Sequence, residues 1–315
     1  MEESTEVHGG GNRLRWEDAP AVLRARIESL AGSRVSAAES SRGGFSPGLA
    51  SALTLDDGRR IFAKAASGST SDVAVELYRR EREVVTRLPS SVPHARLLLA
   101  DESDGWIVLL YEQVDGRHPV PGRPADLDAM FRAFETVATV LDPSPIALSR
   151  FEDDWARQFD SWSRAADDTP AAIALDPWIA TNFERVVETA GSWRDAVHGD
   201  ALVHGDLRAD NMLLTTGGTM IILDWPESSI GASWLDLVLA IPSMAMFRDA
   251  PPIARLTEHR MLRVVDPHRL AAAVAALSGF FLCASVQPEI PALPTLRSFQ
   301  RQQGIQAALW LRELL

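Results

Sequence analysis

An aspartate, an asparagine five residues later and a second aspartate thirteen residues beyond that stand in this chain as Asp206, Asn211 and Asp224. All three are framed by apolar runs. Leu202-Val203 precedes the first, Met212-Leu213-Leu214 follows the second, and Met220-Ile221-Ile222-Leu223 leads into the third. Two short buried strands joined by the Gly217-Gly218 turn would bring the three side chains to one edge. Phosphoryl transfer needs such a set, because the protein positions the reactants and neutralises charge rather than doing covalent work. One carboxylate must face the acceptor hydroxyl. A second carboxylate and an amide oxygen must hold Mg²⁺, a hard cation that takes oxygen ligands.

A second chemical signal is compositional. Of 31 basic residues, only Lys64 is lysine. Lysine is a compact point charge on a flexible stem and arginine a planar fork. A single lysine in an arginine-only chain marks a place where the fork does not fit.

His204-Gly205-Asp206 with Asn211 resembles the catalytic loop of the aminoglycoside phosphotransferase family, relatives of the protein kinases. Protein kinases carry H-R-D-x-x-x-x-N there, and the family has Gly in place of Arg. Leu223-Asp224-Trp225 is similar to the family's metal-binding segment, where protein kinases have D-F-G. The resemblance runs from about residue 34 to the end and is strongest over 202–225. It implies that Asp206 accepts or orients the proton of the attacking hydroxyl and that Asn211 and Asp224 bind Mg²⁺. It implies a charge-stabilising role for Arg208, with a plain surface arginine as the alternative. His204 becomes a scaffold residue, and Asp210 a group bonded within its own turn.

The same resemblance gives Lys64 the contact to the α- and β-phosphates of ATP or GTP. Its partner on the following helix is Glu81 by the family's pattern, with Glu76 as competitor. The turn Arg42-Gly43-Gly44-Phe45-Ser46-Pro47-Gly48 would cover the phosphates, with Gly44 and Ser46 in contact. It departs from G-x-G-x-x-G, and Pro47 removes a backbone donor. Leu109 to Val114 is similar to the inter-lobe hinge, where backbone groups of Glu112 and Val114 would meet the base. Asp236, in the closing segment Gly231–Leu237, would steady the catalytic loop. Only eleven residues separate Asp224 from Asp236. That leaves no room for a phosphorylatable activation loop and favours a small-molecule over a protein acceptor. An earlier copy of the tripeptide, His198-Gly199-Asp200, has Gly205 five positions on, so Asp200 reads as a loop residue.

These residues need a scaffold. Val22, Leu23, Ile27 and Leu30 recur at helical spacing over 17–30. Strand-like pieces follow at 34–40, 49–55 and 60–65, the last two joined by the hairpin signal Asp56-Asp57-Gly58. Residues 72–88 read as a helix, and 96–100 and 106–111 as two more strands. A Gly/Pro-rich linker at 114–124 opens a mainly helical remainder. The expectation is an α+β, bilobal protein-kinase-like fold. A small antiparallel sheet with one key helix forms the N-lobe at 34–113, and a larger, mainly helical C-lobe occupies 114–315. Residues 1–33 form an N-terminal tail and helix, the first twelve reading as disordered.

Bulk properties narrow the partners. The net charge of −12 argues against a nucleic-acid partner. One cysteine, Cys283, excludes an intrachain disulfide framework. The polar start lacks a signal peptide's pattern. The apolar stretch 270–286 reads as a buried core helix, so the expectation is a cytoplasmic protein without a membrane partner. Six of the nine tryptophans (155, 162, 178, 193, 234 and 310) read as core.

The expected partners are a nucleoside triphosphate and a small-molecule hydroxyl acceptor. The acids Asp153, Asp154, Asp160, Asp167 and Asp168 would suit a polycationic aminoglycoside. Arg248, Arg255, Arg260, Arg263, Arg269, Arg297 and Arg301 point to a neutral or less cationic acceptor. An antibiotic, whether aminoglycoside, capuramycin-type nucleoside or macrolide, is the leading class. The alternatives are a metabolite kinase of the choline or homoserine kind and a catalytically silent nucleotide-binding protein.

Overall fold

The computed structural model describes residues 13–40, 48–164, 169–291 and 293–315. The expected tail at 1–12 lies outside them. Helix α1 (Ala21–Ala31) precedes strands β1 (Val35–Ser40), β2 (Leu49–Leu55) and β3 (Arg60–Ser67). Helix α2 (Asp72–Val85) and strands β4 (Leu97–Ser103) and β5 (Trp106–Glu112) complete the small lobe. Its antiparallel sheet runs in the order β1-β2-β3-β5-β4.

Alternation along β3 divides the labour between the sheet's two faces. Ile61, Ala63 and Ala65 pack with Leu23 and Ile27 of α1, together with Val108 and Leu110. Lys64 is on the opposite face, which α2 covers. The spacing that predicts a helix at 17–30 thus produces an outer layer of the small lobe, pinned by Arg26 to Asp101 and Asp104 of the β4–β5 hairpin. Helix α2 starts at the Ser71 N-cap, whose hydroxyl accepts from the Ala74 N–H at 3.2 Å. It ends at Val85, three residues before the spacing suggests, where Thr86 turns its hydroxyl back to the Arg82 carbonyl.

Beyond the hinge come β6 (Gly116–Arg117), α3 (Pro124–Val140), α4 (Phe151–Asp154), α5 (Ala156–Phe159), α6 (Thr169–Ile173), α7 (Pro177–Thr181), α8 (Phe183–Ala190) and α9 (Trp193–Val197). The site-bearing segment then runs through β7 (Ala201–Val203), a 3₁₀ turn at Ala209–Asn211, β8 (Met212–Thr215), β9 (Met220–Ile222) and β10 (Ser229–Gly231). Helices α10 (Leu235–Ala245), α11 (Ile253–Leu256), α12 (Arg260–Arg263), α13 (Pro267–Ser285) and α14 (Leu296–Leu314) close the chain. The fold is bilobal α+β with protein-kinase-like architecture.

Among the described residues, one helix, α13, is long and apolar enough to cross a membrane, and 67% of that stretch lies buried within the fold. Helices α8, α9 and α14 pack around it, which accounts for its apolar surface as core. Trp162, Trp193, Trp234 and Trp310 are likewise buried. Trp155 and Trp178 are partly buried against the same core.

Candidate active site

The site forms where β3 and α2 of the small lobe face the loops after β7 and β9. Lys64 sits mid-strand, paired in register with Ala50 and Leu109. Its Nζ donates to both Glu81 oxygens, at 2.7 and 2.8 Å, and to Asp224 Oδ1 at 2.6 Å. Of the two candidate acids on α2, Glu81 makes the contact. Glu76 instead meets the exposed Arg79 at 3.4 Å. Helical geometry separates them: Ala74, Tyr78, Glu81 and Val85 share the buried stripe. Burial alone would lower the Lys64 pKa, but the charges of Asp224 and Glu81 outweigh it and hold the ammonium protonated. Burial would raise the Asp224 carboxyl, and Lys64 overrides it, keeping that group below its ordinary value.

Strands β8 and β9 pair antiparallel, Met212 opposite Ile222. The Leu223 N–H donates to the Asn211 carbonyl at 2.9 Å. This hairpin places Asn211 just before one strand and Asp224 just after the other, as the apolar framing of the sequence predicts. Asp224 takes a left-handed backbone, φ 65°, as Asp104 and Asp249 also do, a conformation that aspartate tolerates better than most residues with a Cβ. The hairpin is tied back to the small lobe by the Ile222 N–H, which donates to the Pro93 carbonyl at 2.9 Å.

Asp206 lies on the loop after β7. Asn211 Nδ2 donates to the Asp206 carbonyl oxygen at 2.7 Å and to its Oδ2 at 3.0 Å. Oδ1 accepts from Arg208 Nη1. About a third of the Asp206 side chain reaches the cleft, at 31% exposure, yet burial pushes its carboxyl up to about 7. Arg208 opposes that rise, and Asp210 and Asp224 add to it. Arg208 is a bridge rather than a surface arginine. Its Nε and Nη2 hold both Asp210 oxygens, at 3.1 and 2.9 Å, and its guanidinium lies 5.5 Å from the Phe299 ring.

The loop is braced from below. Both oxygens of Asp236 accept backbone N–H groups, those of His204 and Gly205, each at 2.9 Å. Burial raises the Asp236 carboxyl to about 6 against those two bonds. His204 is fully buried. Its Nε2 donates to the Leu223 carbonyl at 2.9 Å, and its Nδ1 accepts the Asp206 N–H at 3.2 Å. Burial lowers its pKa to about 4, so the ring is a neutral spacer between the two loops. Gly205 has φ 82°, and a Cβ there would lie 2.4 Å from the Glu227 carbonyl oxygen. Asp200, in the earlier copy of the tripeptide, is an exposed side chain that meets Arg150 at 3.5 Å.

At the hinge, the Glu112 N–H is engaged by the Arg96 carbonyl at 3.0 Å. The Val114 carbonyl accepts from Gln113 Nε2 at 3.4 Å. Gly44 and Ser46 lie outside the described residues. Three features of the site were not legible in the sequence. They are the tilted stacking of Trp225 on His204 at 4.6 Å, the Phe299 contact, and Arg80, which reaches from α2 to Asp154 at 2.9 Å across the lobes. The Leu223-Asp224-Trp225 segment marked Trp225 but not its stacking, and only helical spacing marked the other two.

The arrangement joins a cation held between two carboxylates to a carboxylate–amide pair on the facing loop. Solved structures share the architecture. One is a thermostable mutant of aminoglycoside phosphotransferase APH(4)-Ia in ternary complex with AMP-PNP and hygromycin B. It is similar with a TM-score of 0.62 at 15% identity, over 93% of this chain and 98% of that one. Spectinomycin phosphotransferase APH(9)-Ia, in complex with ADP and spectinomycin, gives 0.58 at 14%, over 92% and 98%. Choline kinase LicA from Streptococcus pneumoniae gives 0.59 at 14%, over 92% and 98%. At these identities the likeness is one of fold. No curated protein matches the sequence. The profile of the phosphotransferase enzyme family matches residues 43–273, most of the chain, with Lys64, Glu81, Asp206, Asn211 and Asp224 inside the match, and the protein belongs to that family.

Proposed function

We propose that this protein moves the γ-phosphoryl group of ATP, or of GTP, to a hydroxyl of a small molecule, with an antibiotic as the leading acceptor class. The carrying observation is the convergence of Lys64, Glu81, Asp206, Asn211 and Asp224 in one cleft from four separate segments. On this reading Lys64, oriented by Glu81, holds the α- and β-phosphates. Asp206 takes or orients the acceptor's proton, and a pKa near neutrality suits that work. Arg208 steadies Asp206 and keeps positive charge beside the transferring group. The purine base lies against the hinge at Glu112 and Val114. There Gln113 Oε1 is buried without a hydrogen-bond partner, an acceptor suited to a purine amino group.

The donor set fits Mg²⁺. Both side-chain hydrogen bonds of Asn211 use its nitrogen, and on this reading its side-chain oxygen and the Asp224 carboxylate would hold the ion. Among the described residues no group of three or more His, Cys, Asp or Glu side chains forms a metal cage. A magnesium ion shared with phosphates needs only one or two protein oxygens. Bound there, Mg²⁺ supplies charge neutralisation for the phosphates. The chain's own work is to hold Asp224 ionised through Lys64 and to fix Asn211 through Asp206.

The proposed setting is the cytoplasm, where nucleoside triphosphate is at hand. The test is ADP release with Mg²⁺ and ATP against aminoglycosides, nucleoside antibiotics, macrolides, choline and homoserine. Acceptor-dependent release with a mass gain of one phosphate supports the reading, and a hit among the last two moves the acceptor class to metabolites. Nucleotide binding with no transfer to any of them favours a silent binding protein.

A further inference from the structure

The insert between β6 and β7 and the last two helices line a half-open cavity of about 690 Å³, within the range that takes a drug-sized ligand, with Arg157 and Arg164 exposed at its rim. Its charged lining is Arg157, Arg164 and Arg297 against one acid, Glu289. Neither Arg157 nor Arg164 has an ion pair or side-chain hydrogen bond among the described residues. Among the described residues Arg297 donates to neutral oxygens, the Pro288 carbonyl at 3.0 Å and Gln300 Oε1 at 2.9 Å, and makes no ion pair. Two further lining groups, Gln158 Oε1 and Thr169 Oγ1, are buried without partners among the described residues. Buried polar atoms are almost always satisfied, so these two are suited to ligand hydroxyls. Phe280, set edge-on to Trp155 at 5.8 Å, supplies an apolar wall.

Among the described residues, the acids of the insert make no ion pair with these arginines, and Arg164 acts on Asp160 only through its charge. Asp154 is taken by Arg80 and the Ser149 hydroxyl. Asp160 is taken by Arg194 and the Trp193 indole. Neither they nor the exposed Asp153 line the cavity. Asp167 and Asp168 lie outside the described residues. The start of α14 borders both places: Arg297 is in the cavity wall, and Phe299, two residues on and so on another side of the helix, meets Arg208, which holds Asp206.

We infer that this cavity binds an acceptor carrying an anionic oxygen group, a carboxylate or a phosphate, beside its hydroxyls. The inference rests on the proposed phosphotransfer for the word acceptor, but not for the binding. Arginine forks match both anions, whereas a polycation meets like charge.

Four chromogenic probes separate the cases: p-nitrophenyl β-D-glucuronide, p-nitrophenyl β-D-glucoside 6-phosphate, p-nitrophenyl β-D-glucoside and its 2-amino-2-deoxy analogue. Dissociation constants are measured by calorimetry with AMP-PNP present, and ADP release is measured in parallel with ATP. One or both anionic probes should bind about tenfold or more tighter than the neutral glucoside, with the amine weakest. The tighter of the two identifies the anion. Arg157→Gln and Arg164→Gln should each remove most of that preference and leave glucoside binding and thermal stability unchanged. Equal or tighter binding of the glucoside or the amine overturns the inference. So does failure of both anionic probes to bind, or a preference that survives in the double variant. Anion-selective binding without ADP release supports the inference and counts against phosphotransfer. ADP release with the neutral or cationic probe alone does the reverse.

Discussion

Replacing Gly205 by alanine tests whether the loop carrying Asp206 is held as tightly as its geometry shows. Gly205 combines a left-handed backbone, φ 82°, with a close approach that leaves a Cβ 2.4 Å from the Glu227 carbonyl oxygen. The conformation alone costs a non-glycine residue about 1–2 kcal/mol. Ordinary contact begins at 3.4 Å, so loop or neighbour must yield by about 1 Å, and overpacking of that kind adds about 1–3 kcal/mol. The natural control is Gly218, at φ 81° with nothing within 4 Å of its Cβ position. Gly218→Ala should pay the conformational cost alone and lower the melting temperature by about 2–4 °C, at about 2 °C per kcal/mol for a chain of this size. Gly205→Ala should lower it by about 4–10 °C by the same conversion. A misplacement of about 1 Å at the adjacent Asp206 should also cut turnover by about 10², while Gly218→Ala keeps its rate. Scanning calorimetry and acceptor-dependent ADP release read both. If Gly205→Ala melts with Gly218→Ala and turns over at the wild-type rate, the loop is not the rigid platform argued here.

Three further outcomes are expected. Asp206→Ala should lower turnover by about 10²–10⁴, the range for loss of a general base, with nucleotide affinity retained in a binding titration; near-normal turnover would remove Asp206 from the chemistry. Lys64→Arg should forfeit a charge-assisted contact of about 1.5–3 kcal/mol, raising the KM for nucleotide by roughly 10- to 100-fold, because a planar fork cannot replace a point charge among three carboxylate oxygens. An unchanged KM would make the single lysine incidental. His204 has a folded pKa of about 4, below its ordinary 6.5. The unfolded chain therefore binds the proton more readily, and the stability His204 contributes is complete above about pH 6.5 and lost as pH falls through about 4, on the order of 3 kcal/mol in all. In urea unfolding, the stability difference between wild type and His204→Gln should shrink from pH 7 to pH 4.5, and a constant difference would mean the ring is not desolvated.

What the sequence made legible was local. Apolar framing placed Asn211 and Asp224 at the two ends of one hairpin. Helical phase distinguished Glu81, on the stripe with Tyr78 and Val85, from the outward Glu76. The lone lysine marked the mid-strand position that two acids now surround. What stayed hidden depends on partners far along the chain. An amphipathic stripe announces α1 as a packed helix, but not that it backs the sheet carrying Lys64. The acids of the insert read as a cationic-ligand surface because their arginines, Arg80 in the small lobe and Arg194 before β7, are distant in sequence. Arg208 was open between a functional and a surface position because its contacts to Asp206 and Asp210 depend on a turn whose path local spacing does not dictate. The left-handed backbone of Asp224 carries no residue-type signal, since glycine is its usual marker.

The most direct measurement is transfer of labelled γ-phosphate from ATP to an acceptor in the presence of Mg²⁺, with wild type and Asp206→Asn run side by side. The account predicts one labelled phosphate per acceptor for the wild type, and a rate at least a hundredfold lower for a variant that still binds nucleotide. Transfer at equal rates by both proteins would contradict it.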